Sequence, residues 1–210
     1  NWNLFNYQKE FLKELEFSDN TRYLISSDTG TGKTITLFLP LLIDILNQKK
    51  KKLIYISPLK SIISDLYQNL KKIISELNLK INVSKRTGDE SHSLKQKQLK
   101  NPVEILLTTP ESLALMISRS DSDTIFKSTS YIAIDELNEI VNTKRGDQLA
   151  LAISQILSQN KRIKLLSCSA NIENYNYLSN WLSFNRKTKI IKNNIIKKIN
   201  LDILFSDKTP

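Results

Sequence analysis

Short runs of consecutive apolar positions alternate along this chain with longer stretches whose apolar positions fall three and four apart. Residues 81–85 read as a short strand, and the apolar runs themselves are residues 22–27, 53–57, 103–108, 131–135 and 163–167, rich in Ile, Leu and Val. Their length and continuity predict strands buried on both faces. The longer stretches predict helices. Residues 33–47 form one, with Pro40 expected to kink it. A second carries Ile62, Ile63, Leu66, Leu70, Ile73, Ile74 and Leu77 along one face. Pro110 is suited to open a third. Leu149, Ile153, Ile156 and Leu157 mark a fourth, and 174–183 a fifth. Strand–helix alternation of this kind predicts an α/β domain, a mostly parallel sheet with helices on both faces. In such sheets ligands bind at the carboxyl ends of the strands.

Length and charge narrow the reading. The 210 residues suit one large domain, and 40% hydrophobic composition is enough to fill its core. The formal net charge of +10 attracts phosphate backbones and acidic membranes alike. The chain is also rich in Asn and Ile, so the lysine excess could equally reflect general composition. The one cysteine, Cys168, excludes an intrachain disulfide and reads as a buried structural thiol in a reducing cytoplasm. No apolar stretch approaches the ~20 residues of a membrane-spanning helix. Lys49 to Lys52 reads as a solvated loop, and His92 as a lone histidine in a polar loop with no metal site. From about Lys187 the chain becomes Lys-, Asn- and Ile-rich without clear period. Residues 1–190 are therefore expected to form the domain, and 191–210 a linker leading to something further.

The candidate chemistry follows the predicted strands. After strand 22–27 comes Ser27-Asp28-Thr29-Gly30-Thr31-Gly32-Lys33-Thr34, then a helix. This is a phosphate-loop arrangement. Glycines let backbone N–H groups turn inward around phosphates, and the helix start adds its positive dipole end. Lys33 would reach the β- and γ-phosphates and Thr34 would hold Mg²⁺. Asp135-Glu136, at the end of strand 131–135, supplies the complementary acids. Asp135 would hold Mg²⁺ largely through water, and Glu136 would orient and deprotonate the attacking water. Each half of this pair predicts the other, so ATP and Mg²⁺ are the expected ligands.

The segments TGTGKT, SPLKSI, RTGD, TTPESLALMIS, IDELNEI, NTKRGDQLALA and SCSANIEN follow in the order and spacing of superfamily 2 helicase motifs. Together they resemble the long helicase-related (Lhr) branch, with its DNA-ligase-associated members, over roughly residues 2–183. The resemblance implies a RecA-like phosphate-loop NTPase domain, the ATP-binding half of an ATP-dependent helicase in nucleic-acid processing or DNA repair. Two readings from other directions are a non-catalytic nucleic-acid-binding relic and a translocating subunit of a defence system. The resemblance also implies residue roles. Thr29, Gly30, Thr31, Gly32, Lys33 and Thr34 would bind nucleotide, and Gln8, with Phe5 nearby, would read the adenine edge. Gln8 reads alternatively as an exposed helix residue. Ser57, Pro58, Lys60, Thr87, Gly88, Thr109, Pro110 and Glu111 would grip a single nucleic-acid strand, DNA ahead of RNA, through its phosphates. Each would also suit an ordinary turn or cap. Arg145 reads equally as a basic contact or as a plain surface charge. Asn138, Ser169 and Ala170 would couple ATP turnover to movement against a second RecA-like domain. Asn138 and Asn171 depart from the branch, which has His and Thr there. Asn bonds hydrogen but does not titrate as His does, so the departures touch coupling rather than hydrolysis.

Overall fold

A computed structural model describes residues 3–193 apart from 16, 18, 29, 49, 50, 120–122 and 171. Thr29, Asn171 and the stretch from 194 onward, each given a role above, lie outside the described residues. The strand elements are β1 (Arg22–Ser26), β2 (Leu53–Ile56), β3 (Val83–Arg86), β4 (Ile105–Thr108), β5 (Tyr131–Ile134), β6 (Lys164–Ser169) and β7 (Thr188–Lys192). They form one sheet in the order β3-β4-β2-β5-β6-β1-β7, and every pair is parallel. The helices are α1 (Asn6–Glu14), α2 (Lys33–Asn47), α3 (Lys60–Glu76), α4 (His92–Lys100), α5 (Pro110–Ile117), α6 (Asp123–Ser128), α7 (Asn138–Val141), α8 (Lys144–Gln159) and α9 (Tyr175–Ser183).

Strand alternation sorts the core into two layers. Leu24, Ile54, Ile56, Leu106, Ile132, Ile134 and Leu165 face α5, α7, α8 and α9. Their neighbours Tyr23, Ile25, Leu53, Tyr55, Leu107, Ala133 and Leu166 face α1, α2 and α3. The central strands are therefore apolar on both faces, as continuous runs require. Helix starts carry side-chain caps: Ser91 accepts from the Leu94 amide, Thr109 from Ser112, Thr143 from Gly146 and Asn174 from Tyr177. α2 runs without a break through Pro40. Among the described residues no helix is long and apolar enough to cross a membrane.

Three parts of the sequence reading change. The stretch from Lys187 continues the sheet rather than leaving it. β7 pairs along β1 from Arg22–Thr188 to Ser26–Lys192, and Ile191 is buried beneath α1. Its mixed sequence, Thr-Lys-Ile-Ile-Lys, suits an edge strand, where most side chains stay partly in contact with solvent. His92 is not in a loop; it opens α4 behind the Ser91 cap. Two short helices, α6 and α7, also escaped periodicity because neither is long enough to display one.

Candidate nucleotide and strand site

β1 leads into the loop at Ser27. The loop turns through Gly30 (φ 72°) and Gly32 (φ 81°) before α2 begins at Lys33. Both glycines occupy the left-handed region, where a Cβ is strained. A Cβ at Gly32 would also stand 3.1 Å from Gln8 Nε2. The loop is braced from within: Ser27 Oγ and Thr31 Oγ1 share a hydrogen bond of 2.6 Å, and Thr31 Oγ1 donates to the Asp28 carbonyl. α1 braces it from behind. Tyr7 OH donates to the Thr31 carbonyl at 2.8 Å, and Gln8 Nε2 donates to Thr36 Oγ1 at 2.8 Å. Gln8 Oε1 accepts the Phe5 amide. Gln8 is thus 2% exposed with both ends of its amide engaged, not an exposed helix residue. Phe5 remains partly exposed and stacks on Tyr7.

Lys33 is 6% exposed, and its Nζ makes no hydrogen bond. It stands 3.5 Å from Glu136 Oε1, an ion pair without hydrogen-bond geometry. A buried ammonium with unfilled donor positions is costly and calls for an explanation. Here it lies at a helix start among turned-in glycines. That arrangement fits an anionic, phosphate-bearing ligand.

Asp135 follows β5, two strands from β1 with β6 between them. Its Oδ2 accepts Tyr55 OH at 2.5 Å and Thr34 Oγ1 at 3.4 Å. Its Oδ1 accepts Cys168 Sγ–H at 2.9 Å and the Glu136 amide at 3.0 Å. Burial, then the charge of Asp135, push the Tyr55 phenol well above its ordinary value. The same two causes push the Cys168 thiol up. Both groups therefore stay protonated donors to the carboxylate. Glu136 adopts φ 47°, a left-handed conformation uncommon for a side-chain-bearing residue. That turn carries its carboxylate back toward Lys33, and Oε2 accepts the Ala170 amide at 3.4 Å. Ser169 Oγ donates to Asn138 Oδ1, and the Asn138 amide donates to Ser169 Oγ. The end of β6 is thereby stitched to the segment following Asp135. Thr34 and Asp135 together offer a hydroxyl and a carboxylate oxygen, hard donors that fit Mg²⁺.

The other expected positions gather at the ends of β2, β4 and β3. Ser57, Pro58, Thr87, Thr109 and Pro110 are buried there, Lys60 and Gly88 are exposed, and Glu111 and Arg145 lie between. Thr109 caps α5. Ser57 Oγ is fully buried without a partner. Lys60 Nζ pairs with Asp89 at 2.7 Å, and Lys95 Nζ donates to the Gly88 carbonyl at 2.9 Å. Arg145 donates to Glu111 and to the Pro58 carbonyl.

Sequence reasoning missed Tyr7, Tyr55 and the bond from Cys168 to Asp135. Tyr55 sits inside an apolar strand opposite Ala133, two residues short of Asp135. Only knowing that β2 lies beside β5 could have exposed it.

Fold and site together define a phosphate-loop domain of RecA-like architecture. The DEAD/DEAH box helicase model matches residues 5–178, and the chain belongs to that family. It is 31% identical over 201 residues to "ATP-dependent helicase Lhr-Core" of Saccharolobus solfataricus, covering 88% of this chain and 23% of that protein. Among solved structures it resembles the Mycobacterium smegmatis helicase Lhr bound to ssDNA and AMP-PNP. That match has a TM-score of 0.80 and 26% identity, and spans 92% of this chain and 26% of the other. DEAD-box helicase Mss116 bound to ssRNA and UDP-BeF shares the fold, with a TM-score of 0.78 and 21% identity over 90% of this chain and 40% of that one. The Lhr resemblance read from the motifs is supported by these relatives. The chain spans about a quarter of the lengths of its two Lhr relatives.

Proposed function

We propose that this chain is the ATP-binding motor domain of an ATP-dependent helicase that moves along a nucleic-acid strand. The observation that carries the reading is the buried, unbonded Lys33 ammonium beside Glu136 at the start of α2. In this reading Gly30, Thr31, Gly32 and, by resemblance, Thr29 wrap the phosphates in backbone N–H groups. Lys33 moves from Glu136 to the β- and γ-phosphates. Mg²⁺ held by Thr34 and Asp135 would neutralise charge on those phosphates. Glu136, released from the lysine, takes a proton from the attacking water. Gln8 holds α1 against the loop and is assigned the adenine edge, with Phe5 alongside.

The strand grip is assigned to the segments carrying Ser57, Pro58, Lys60, Thr87, Gly88, Thr109 and Pro110. Because most of these side chains are buried, the backbone N–H groups of Thr87, Gly88 and Thr109 and the α5 start are assigned the gripping, with Lys60 as the exposed cation. DNA is placed ahead of RNA on the stronger similarity to the ssDNA-bound Lhr structure. Asn138, Ser169 and Ala170 form the link through which nucleotide state reaches a second RecA-like domain. Such a partner would supply arginine fingers, worth roughly 10³–10⁵ in rate. The setting assigned is cytoplasmic.

Titration with a fluorescent ATP analogue, with and without Mg²⁺, tests the proposal. Saturable binding that tightens with Mg²⁺ is expected. Indifference to both nucleotide and metal would leave a nucleic-acid-binding relic as the surviving reading.

A further inference from the structure

Arg145 is the second residue of α8, behind the Thr143 cap. The turn that holds it has little freedom. A Cβ at Gly146 would stand 2.5 Å from the Ile140 carbonyl oxygen and 2.7 Å from that of Val141, so the start of α8 is pressed against the end of α7. From this fixed base the Arg145 guanidinium reaches two other elements. Nη2 donates to the Pro58 carbonyl at 2.7 Å, in the turn between β2 and α3. Nε donates to the Glu111 carboxylate in the first turn of α5. α5 and α8 also pack along each other. One planar cation therefore ties the turn after β2 to the start of α5. These are two of the segments assigned above to the strand.

The chemistry of Glu111 sharpens the point. It lies at the helix start that a strand phosphate would approach, where a free carboxylate would repel that phosphate. Partial burial works to raise Glu111, but the Arg145 hydrogen bond, a backbone amide and the Arg145 charge outweigh it and hold the carboxyl below its ordinary value. It is thus a carboxylate whose charge is met by Arg145. Two of the five Arg145 N–H groups are spent on Pro58 and Glu111, and together these two bonds fix the plane and reach of the guanidinium.

We infer that Arg145 is a positioning residue rather than a strand ligand: a strut that fixes the spacing between the Pro58 turn and α5 and neutralises Glu111 at the strand-gripping surface. The inference rests on the strand-grip reading above. It separates two roles that sequence leaves equal for Arg145, and the roles differ in sign. If Arg145 touches phosphate directly, Glu111 is a repulsive neighbour and its removal strengthens binding. If Arg145 is a strut, removal of Glu111 loosens the strut and weakens binding.

The test is fluorescence anisotropy of a labelled single-stranded oligo(dT) with the full chain, over a series of KCl concentrations. Lys60→Ala calibrates the assay: loss of one direct phosphate contact lowers the slope of log K against log salt by about 0.7 for a single strand. Arg145→Ala is expected to weaken binding about tenfold with an unchanged slope. Arg145→Lys recovers little, since an ammonium cannot span both partners in the plane of a guanidinium. The isosteric Glu111→Gln is expected to weaken binding in the same direction. The double variant is expected to be no worse than Arg145→Ala alone. Thermal melting shows that each variant is folded, and the conservative Glu111→Gln keeps the test decisive if Arg145→Ala does not fold. Tighter binding by Glu111→Gln, or a slope reduced by Arg145→Ala as Lys60→Ala reduces it, overturns the strut. No binding by the unaltered chain at any salt overturns the strand-grip reading, and the strut with it.

Discussion

The two halves of the sheet's carboxyl edge are built on different physical terms. On the β5-β6-β1 side, Lys33 and Asp135 are 6% and 2% exposed. Asp135, the loop and α2 are held there by buried side chains, Tyr55 and Cys168 on Asp135 and Tyr7 and Gln8 on the loop and α2, while the Lys33 ammonium is left without a hydrogen bond. On the β3-β4-β2 side, the charged groups are half in water. Lys60 and Asp89 pair at the surface, and Arg145 and Glu111 are 38% and 44% exposed. A group that must act on a bond needs its orientation fixed before the ligand arrives, and buried hydrogen bonds supply that. A surface that must hold and release a charged polymer works better with solvated, salt-screened contacts.

That contrast is open to test, beginning where the effect is largest. Glu136→Gln keeps the side-chain shape and removes the proposed base. In a protein that includes the second motor domain, turnover should fall about 10²–10⁴-fold with nucleotide affinity retained. A turnover loss of less than tenfold would remove Glu136 from the chemistry. Lys33→Ala should cost about two orders of magnitude in ATP-analogue affinity. Its melting temperature should be no lower than the parent's, because an ammonium lacking hydrogen bonds leaves the interior. Unchanged affinity would refute the assignment of the phosphate loop.

Gly146→Ala carries the comparison to the grip side through packing alone. Its Cβ would collide with two backbone carbonyls, which cannot rotate away as a side chain can. A loss of about 1–3 kcal/mol is expected from urea midpoints. A neutral result would mean that the base of Arg145 is looser than its geometry implies.

The smallest effect lies in alkali. Tyr55 and Cys168 have folded-state values raised above their ordinary 10.0 and 9.0. A raised value means the fold favours the protonated form. The stability each contributes is complete below its unfolded value and is lost as pH climbs above it. The parent should therefore lose stability from about pH 9 upward more steeply than the Tyr55→Phe and Cys168→Ala variants, measured by urea midpoint against pH. Parallel curves would show that neither group is held as a protonated donor.

Much of this was legible in the chain itself. Five of the seven described strands follow from apolar runs, because a strand covered on both faces is apolar at most positions; β3, an edge strand of sequence VSKR, does not. The phosphate loop and Asp135-Glu136 could be read because their chemistry needs particular residues at fixed places after a strand. β7 could not be read this way, since at the sheet edge only Ile191 of its residues is fully buried and its Lys and Ile resemble a linker.

The sequence by itself determined the fold class, the candidate nucleotide-binding residues and the helicase motif order. All three are written in residue types and local spacing. Only the tertiary structure decided which groups stand behind the site. It turned Gln8 from a surface candidate into a brace for α2, made Tyr55 and Cys168 the two side-chain donors that flank Asp135, and joined Arg145 to Pro58 and Glu111. These partners lie 28 to 87 residues apart along the chain. No local pattern encodes such distances. They are set by the order in which the strands pack, and that order is fixed by the burial of the whole sheet rather than by any one segment.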